Sequence, residues 1–169
     1  TPAVFLALFV ILATTTMTPM VLYLVLTGSY QWGLIAFLAV AATDVIDGTL
    51  ARTRNQVTTW GKLYDPIADK FLIGSMVFGV VVRELDPIIG GSIVAIEAFI
   101  IAFAWYGRLK GRVVQANGWG KAKMGLEVIG VSLLLFGLMV NIPLFLNVSQ
   151  ASFILAILFA LVSLVTYGI

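Results

Sequence analysis

The chain has 169 residues, of which 61% are hydrophobic and only 11% charged, and its mean hydropathy is +1.09. Soluble globular domains carry about 25% charged residues, because their surfaces must be solvated. This composition therefore excludes an ordinary soluble domain and predicts that most of the surface faces lipid. The absence of cysteine and histidine excludes disulfides, thiol catalysis and imidazole metal ligands. The net charge of +2 is too small for a nucleic-acid surface, so we expect no nucleic acid partner.

Apolar stretches of membrane-spanning length recur along the chain, each near the roughly 20 residues that a bilayer helix needs. They lie at about 3–27, 31–50, 65–83, 87–107, 124–142 and 151–168. Six such helices leave room for short connections only. The sequence therefore predicts an all-α, polytopic integral membrane protein with six transmembrane helices, in which residues 1–169 form a single membrane domain.

Basic residues are concentrated beside two of the connections. Nine of the ten flank the connections between spans 2 and 3 and between spans 4 and 5, and Arg83 is the exception. The connections at 28–31 and 141–150 hold no charge. The positive-inside rule therefore places the 2–3 and 4–5 connections in the cytoplasm. We expect a multi-pass protein of the cell membrane with both termini on the cytoplasmic side.

Four of the eight acidic residues fall in the segment where span 2 ends and span 3 begins: Asp44, Asp47, Asp65 and Asp69. On helices, each pair would share one face, and antiparallel packing of the two spans would bring the faces together. Carboxylates at a membrane edge are costly and mark function. Four of them close together cannot all stay ionised without cations. Mg²⁺ or Mn²⁺ suits such oxygen ligands, and we predict an active site at the cytoplasmic edge between spans 2 and 3.

The residues beside these acids indicate what the site holds. Gly48, Ala51 and Gly61 are small and leave space for a ligand against the backbone. Arg52 is a fixed cation able to bind a phosphate through two hydrogen bonds. Metals, an arginine and a slot lined by small residues together indicate a pyrophosphate or nucleotide substrate.

The segment 44–69 resembles the signature of the CDP-alcohol phosphatidyltransferase family. All eight signature positions match in order and spacing: Asp44, Asp47, Gly48, Ala51, Arg52, Gly61, Asp65 and Asp69. Six spans with this motif between the second and third also agree with the family's architecture, so the resemblance covers the whole chain.

The resemblance implies transfer of a phosphatidyl or phosphoalcohol group from a CDP-linked donor to a hydroxyl, with release of CMP. It implies that Asp44, Asp47 and Asp65 hold two divalent cations, Mg²⁺ or Mn²⁺, and that Asp69 is the general base and an additional metal ligand. The residues it assigns to the CDP site are Asp44, Gly48, Ala51, Arg52 and Gly61. Two cations can stabilise the attacking and the leaving oxygen together, which is what phosphoryl-type transfer requires.

Basic residues around the 4–5 connection predict a site for the phosphate of the acceptor: Arg108, Arg112, Lys121 and Lys123. An equally good explanation is that these residues set the membrane topology and attract anionic lipid headgroups. The run 120–123, Gly-Lys-Ala-Lys, resembles an element of the phosphatidylglycerophosphate synthase branch of the family. That resemblance implies CDP-diacylglycerol as donor and glycerol 3-phosphate as acceptor.

Other positions favour different acceptors. Ile96 and Ala104 stand where that branch has arginines, and Glu127 stands where it has glutamine. The run 104–110 resembles the cardiolipin synthase branch, so phosphatidylglycerol is an alternative acceptor, and inositol phosphate is another. Glu97, within span 4, aligns with an acid of the phosphatidylglycerophosphate synthase branch.

Two further hypotheses concern other classes of function and assembly. Acids in membrane helices also build ion pathways, so a membrane ion transporter is the alternative from another class. Ser75 and Gly79 are small residues at i,i+4 spacing, which permits close helix packing, and the family resemblance implies a homodimer.

Overall fold

A computed structural model describes residues 16–53, 70, 72–110 and 118–167. Its α-helices are α1 Thr16–Leu26, α2 Tyr30–Thr53, α3 72–76, α4 Val82–Glu84, α5 Pro87–Leu109, α6 Gly118–Val140 and α7 Pro143–Tyr167. A π-helix, Val77–Val81, lies between α3 and α4. No strand occurs in these ranges. The prediction of an all-α fold is confirmed.

Three helices are long and apolar enough to cross a membrane: Pro87–Gly107, Gly118–Val140 and Pro143–Thr166. They correspond to predicted spans 4, 5 and 6. Shorter apolar helices at Thr16–Leu26 and Tyr30–Thr43 overlap parts of predicted spans 1 and 2. Large apolar side chains are exposed along these helices, among them Leu144 and Val165 of α7 at 64% each, and such a surface suits lipid. The chain is a multi-pass membrane protein, and the count of six spans stays a prediction.

The chain divides into two compact units, Thr1–Met76 and Val77–Ile169. The first contains α1, α2 and α3, and its buried apolar side chains include Val21, Val25 and Phe37. The second contains the π-helix and α4 to α7. Three valines of the π-helix are buried, and the π-helix packs against both α5 and α6.

A glycine turn ends α1 and leads into α2. The Ser29 N–H donates to the carbonyl of Leu24 (2.9 Å), and the Gly28 N–H donates to the carbonyl of Val25 (3.0 Å). This is the Schellman pattern, in which the residue after the helix takes a positive φ that glycine adopts at little cost. Gly28 has φ +84°. A connection at this point is therefore confirmed, but it is shorter than the predicted 28–31, because α2 begins at Tyr30.

The start of α5 is capped by a side chain. An oxygen of Asp86 accepts a hydrogen bond from the backbone N–H of Ile88 (2.7 Å), and Pro87 occupies the first helical position. Asp at the N-cap followed by Pro is a favoured helix start, since proline has no N–H to leave unsatisfied. Helices α4 and α5 approach each other closely at Gly90, where an added Cβ would lie 2.6 Å from a methyl carbon of Val82.

A sharp corner joins α6 to α7. Asn141 has φ 56°, the Ile142 N–H donates to the carbonyl of Gly137 (3.3 Å), and Pro143 begins α7. Asparagine tolerates this left-handed conformation, and proline favours the first turn of a helix. The prediction of a connection at 141–150 was therefore wrong, because a two-residue corner replaces it. Helix α6 likewise begins at Gly118 rather than at 124, since lysines near its start do not interrupt the helix.

Helices α6 and α7 pack closely as an antiparallel pair. The hydroxyl of Ser149 donates to the carbonyl of Gly130 (2.7 Å), and the hydroxyl of Ser152 donates to the carbonyl of Leu126 (2.8 Å). Gly130 lies directly under the ring of Phe153, which is fully buried. Small residues and interhelical hydrogen bonds of this kind drive association of helices in a membrane. They fix the position of α6, which carries three of the charged residues described below.

Candidate functional site

The first half of the predicted aspartate cluster lies in α2. Asp44 and Asp47 are both within Tyr30–Thr53, three positions apart and close to the end of the helix. Gly48, Ala51 and Arg52 follow them on the same helix. Because an α-helix has 3.6 residues per turn, positions 44, 47, 48 and 51 lie on one side of α2. The helical placement on which the sequence prediction depended is thus present.

The second half of the cluster lies outside the described residues, namely Gly61, Asp65 and Asp69. The convergence of four aspartates on one site therefore stays a prediction. Among the residues that the structure describes, no three acidic side chains come together in a way that would hold a metal ion.

The donor chemistry of the motif fits a hard divalent cation. All four candidate ligands are carboxylates, and the full sequence offers neither histidine nor cysteine. Oxygen-only donor sets suit Mg²⁺ and Mn²⁺ and disfavour softer metals. Two of the four carboxylates belong to adjacent turns of α2, so that helix would supply one side of the site.

The four residues predicted to bind the acceptor phosphate are in different surroundings. Arg108 is part of the last turn of α5, and Arg112 lies outside the described residues. Lys121 is exposed on α6, whereas Lys123 on the same helix is buried, with 4% of its surface accessible. The sequence prediction treated the two lysines as equivalent, and the structure separates them.

Lys123 forms ion pairs with two glutamates. Its Nζ contacts Oε1 of Glu97, which lies on α5, and is 3.6 Å from Oε1 of Glu127, one turn later on α6. The side chains of Lys123 and Glu127 are 5% and 3% exposed, and that of Glu97 is 12% exposed. We call these three residues the buried charge cluster. It connects α5 to α6, and each of these two helices is apolar enough to cross a membrane.

Sequence reasoning did not identify Glu97 and Glu127 as functional residues. It compared both with the family pattern and assigned neither a role. The i,i+4 spacing of Lys123 and Glu127 was a usable signal, because residues at that spacing are neighbours on a helix surface. The contact with Glu97 had no such signal, since it joins residues of two different helices.

Aromatic residues flank the connection between α5 and α6. At the end of α5, Trp105 and Tyr106 are exposed, and the Lys110 Nζ lies 4.6 Å from the centroid of the Tyr106 ring. At the start of α6, Trp119 is 45% exposed and its ring packs at 5.4 Å from that of Phe159. Tryptophan and tyrosine are enriched where membrane helices meet water. The ends of α5 and α6 next to this connection therefore have the composition of a membrane interface.

The chain belongs to the CDP-alcohol phosphatidyltransferase family. The profile of that family matches residues 4–166, which is nearly the whole chain and includes all eight signature positions. The resemblance inferred from the signature is confirmed.

Individual relatives have names that specify their substrates. The chain is 36% identical over 108 residues to a CDP-diacylglycerol--glycerol-3-phosphate 3-phosphatidyltransferase of Bacillus subtilis (strain 168), covering 61% of the chain and 54% of that protein. A protein of the same name from Rickettsia felis is 33% identical over 106 residues, covering 62% and 59%. A cardiolipin synthase (CMP-forming) of Streptomyces coelicolor is 32% identical over 112 residues, covering 62% and 52%. The aligned segments thus span between half and three fifths of each relative.

Proposed function

We propose that this chain transfers the phosphatidyl group of CDP-diacylglycerol to glycerol 3-phosphate, giving phosphatidylglycerophosphate and CMP. The observation that carries the proposal is the complete eight-position signature within a match to the family from 4 to 166. The names of the Bacillus and Rickettsia relatives support this donor and this acceptor. Membership in the family favours the enzyme over the ion transporter.

The reaction assigns a role to each part of the signature. The acceptor hydroxyl oxygen forms a bond to the phosphorus that carries the diacylglycerol, the bond from that phosphorus to the CMP oxygen breaks, and the hydroxyl proton passes to Asp69. Divalent cations, Mg²⁺ or Mn²⁺, bound by Asp44, Asp47, Asp65 and Asp69 would neutralise charge on the pyrophosphate. Arg52 would bind a phosphate oxygen pair.

Small residues of the signature would complete the donor site. Gly48, Ala51 and Gly61, together with Asp44, would leave room for CDP against the backbone. Three of these positions lie on one side of α2, which supports a shared role. The diacylglycerol would remain in the bilayer while the water-soluble acceptor enters from the cytoplasm.

The membrane topology, the assembly and the acceptor site of the chain are also part of the proposal. Residues 1–169 act as one membrane domain, with the active site and both termini on the cytoplasmic side, and two copies form a homodimer. The concentration of nine of the ten basic residues beside two connections supports the orientation. The small residues Ser75 and Gly79 support close helix packing of the kind a dimer needs. Arg108, Arg112, Lys121 and Lys123 are the proposed acceptor-phosphate residues.

The test is release of CMP by the purified chain in phospholipid nanodiscs. CDP-diacylglycerol and Mg²⁺ or Mn²⁺ are supplied with glycerol 3-phosphate, phosphatidylglycerol or inositol phosphate, and the lipid product is identified by mass spectrometry. We expect glycerol 3-phosphate to give the highest kcat/KM. The Streptomyces relative makes phosphatidylglycerol the competing acceptor, and cardiolipin as the main product would assign the chain to that reaction instead. No CMP with any acceptor would refute the proposal.

A matched pair of variants separates the site from general damage to the protein. Asp47→Asn removes one predicted metal ligand at nearly constant volume and should abolish CMP release. Glu84→Gln makes the same change of charge at an ion pair with Arg83 (3.2 Å), outside the signature sequence, and should leave the rate unchanged. Equal activity of the two variants would contradict the assignment.

A further inference from the structure

The buried charge cluster contains more negative than positive groups. One ammonium, that of Lys123, contacts two carboxylates, those of Glu97 and Glu127. All three side chains are largely removed from water, where charges interact more strongly than at a surface. Ionisable residues inside membrane helices are costly and mark function by default. The two carboxylates beside Lys123 are therefore candidates for a functional role.

The carboxylates oppose any anion that Lys123 would bind. A phosphate monoester carries nearly two negative charges, and each glutamate next to the ammonium repels it while competing for the same N–H donors. Lys121, which is exposed on the same helix, has no buried carboxylate among its described contacts. The two lysines of the run 120–123 therefore differ in the strength with which they attract phosphate.

We infer that Glu127, together with Glu97, lowers the affinity of the enzyme for glycerol 3-phosphate by limiting the attraction of Lys123 for the acceptor phosphate. The inference rests on the proposed function, in which Lys123 belongs to the acceptor site. Glu127 acts through Lys123 and has no contact with the reacting atoms in this scheme. Its effect is on the binding of a charged acceptor and leaves the chemical step unchanged.

The experiment measures CMP release by the full chain in nanodiscs at saturating CDP-diacylglycerol and varied glycerol 3-phosphate. Glu127→Gln removes one negative charge at nearly constant volume. We expect its KM for glycerol 3-phosphate to fall by at least about fivefold, because two unit charges in close contact interact this strongly even in bulk water, with kcat within about twofold of the parent. Glu97→Gln removes the other carboxylate and should act in the same direction, which keeps the inference testable if one variant fails to fold.

Two controls distinguish this role from a structural one. Glu84→Gln makes the same change of charge outside the buried charge cluster and should leave KM unchanged. In a Lys123→Met background, whose KM should be higher, adding Glu127→Gln should lower KM by a smaller factor than in the parent, because only the direct repulsion between Glu127 and the phosphate remains.

The possible outcomes separate the inference from the proposed function. If the parent chain releases CMP with glycerol 3-phosphate while Glu127→Gln has an unchanged or raised KM, the inference is overturned and the proposed function stands. Persistence of the full effect in the Lys123→Met background also overturns it. If the parent chain releases no CMP with glycerol 3-phosphate, the proposed function fails, and the inference that rests on it is overturned as well.

Discussion

Replacing Gly130 with alanine should weaken the contact between α6 and α7. An added Cβ would lie 2.9 Å from two ring carbons of Phe153 and 3.1 Å from a third, and that ring is fully buried. Overpacking of this kind costs about 1–3 kcal/mol. Any outward shift of α7 would also stretch the hydrogen bond from Ser149 to the Gly130 carbonyl, and interhelical bonds in membrane proteins are worth about 0.6 kcal/mol.

A gain in helix propensity offsets part of this loss. Alanine is more favourable than glycine in a helix by up to about 1 kcal/mol. The net destabilisation expected for Gly130→Ala is therefore about 1.5 kcal/mol. Gly125→Ala is the matched control, because it lies on the same helix and a Cβ there would meet nothing within 4 Å. That variant should be as stable as the parent or more stable.

The measurement is the free energy of unfolding by SDS in mixed micelles, followed by far-ultraviolet circular dichroism. Phe153→Leu provides a second background, since it removes the ring atoms that the new Cβ would meet. In that background the cost of Gly130→Ala should shrink towards that of Gly125→Ala. Equal stability of the two alanine variants in the parent background would refute the packing argument. So would an undiminished cost of Gly130→Ala in the Phe153→Leu background.

Three further predictions concern activity and topology. Asp69→Asn should abolish CMP release while the helix content stays unchanged, and turnover within severalfold of the parent would remove Asp69 from the mechanism. Treatment with EDTA should stop CMP release, and Mg²⁺ or Mn²⁺ should restore it while Ca²⁺ should not, because Ca²⁺ prefers longer bonds and more ligands. The chain has no cysteine, so single cysteines report topology directly. A membrane-impermeant maleimide should label Ile88→Cys in intact cells and Lys110→Cys only after the membrane is opened, and the reverse pattern would invert the proposed orientation.

The helices were predicted well from the sequence where an uninterrupted apolar run defines them. Apolar runs bounded by turn residues identified α5, and the glycine at position 28 identified the turn before α2. The corner between α6 and α7 was misjudged because polar residues such as Asn147 and Ser149 read as a loop. In the structure the hydroxyl of Ser149 is satisfied by the carbonyl of Gly130, so these residues remain helical.

The candidate site was predictable to the extent that it is local in sequence. The signature from Asp44 to Asp69 depends on residue types at fixed spacing, which a sequence displays directly. The difference between Lys121 and Lys123 is not visible in the sequence. Side chains two residues apart on a helix point about 200° apart, and which of them is buried depends on the neighbouring helix. The partner of Lys123 on α5, Glu97, is known only once the helices are placed.

The buried charge cluster is better explained by function than by stability. Removing ions from water costs several kcal/mol each, and well-packed apolar replacements of a buried ion group are often neutral or stabilising. Apolar side chains fill other buried positions of α6, since Leu134 and Leu135 are fully buried on the same helix. A chain selected only for a stable bundle would therefore gain little from keeping Lys123 and Glu127 inside. Their position beside Glu97, close to the connection that four other basic residues flank, agrees with the proposed acceptor site.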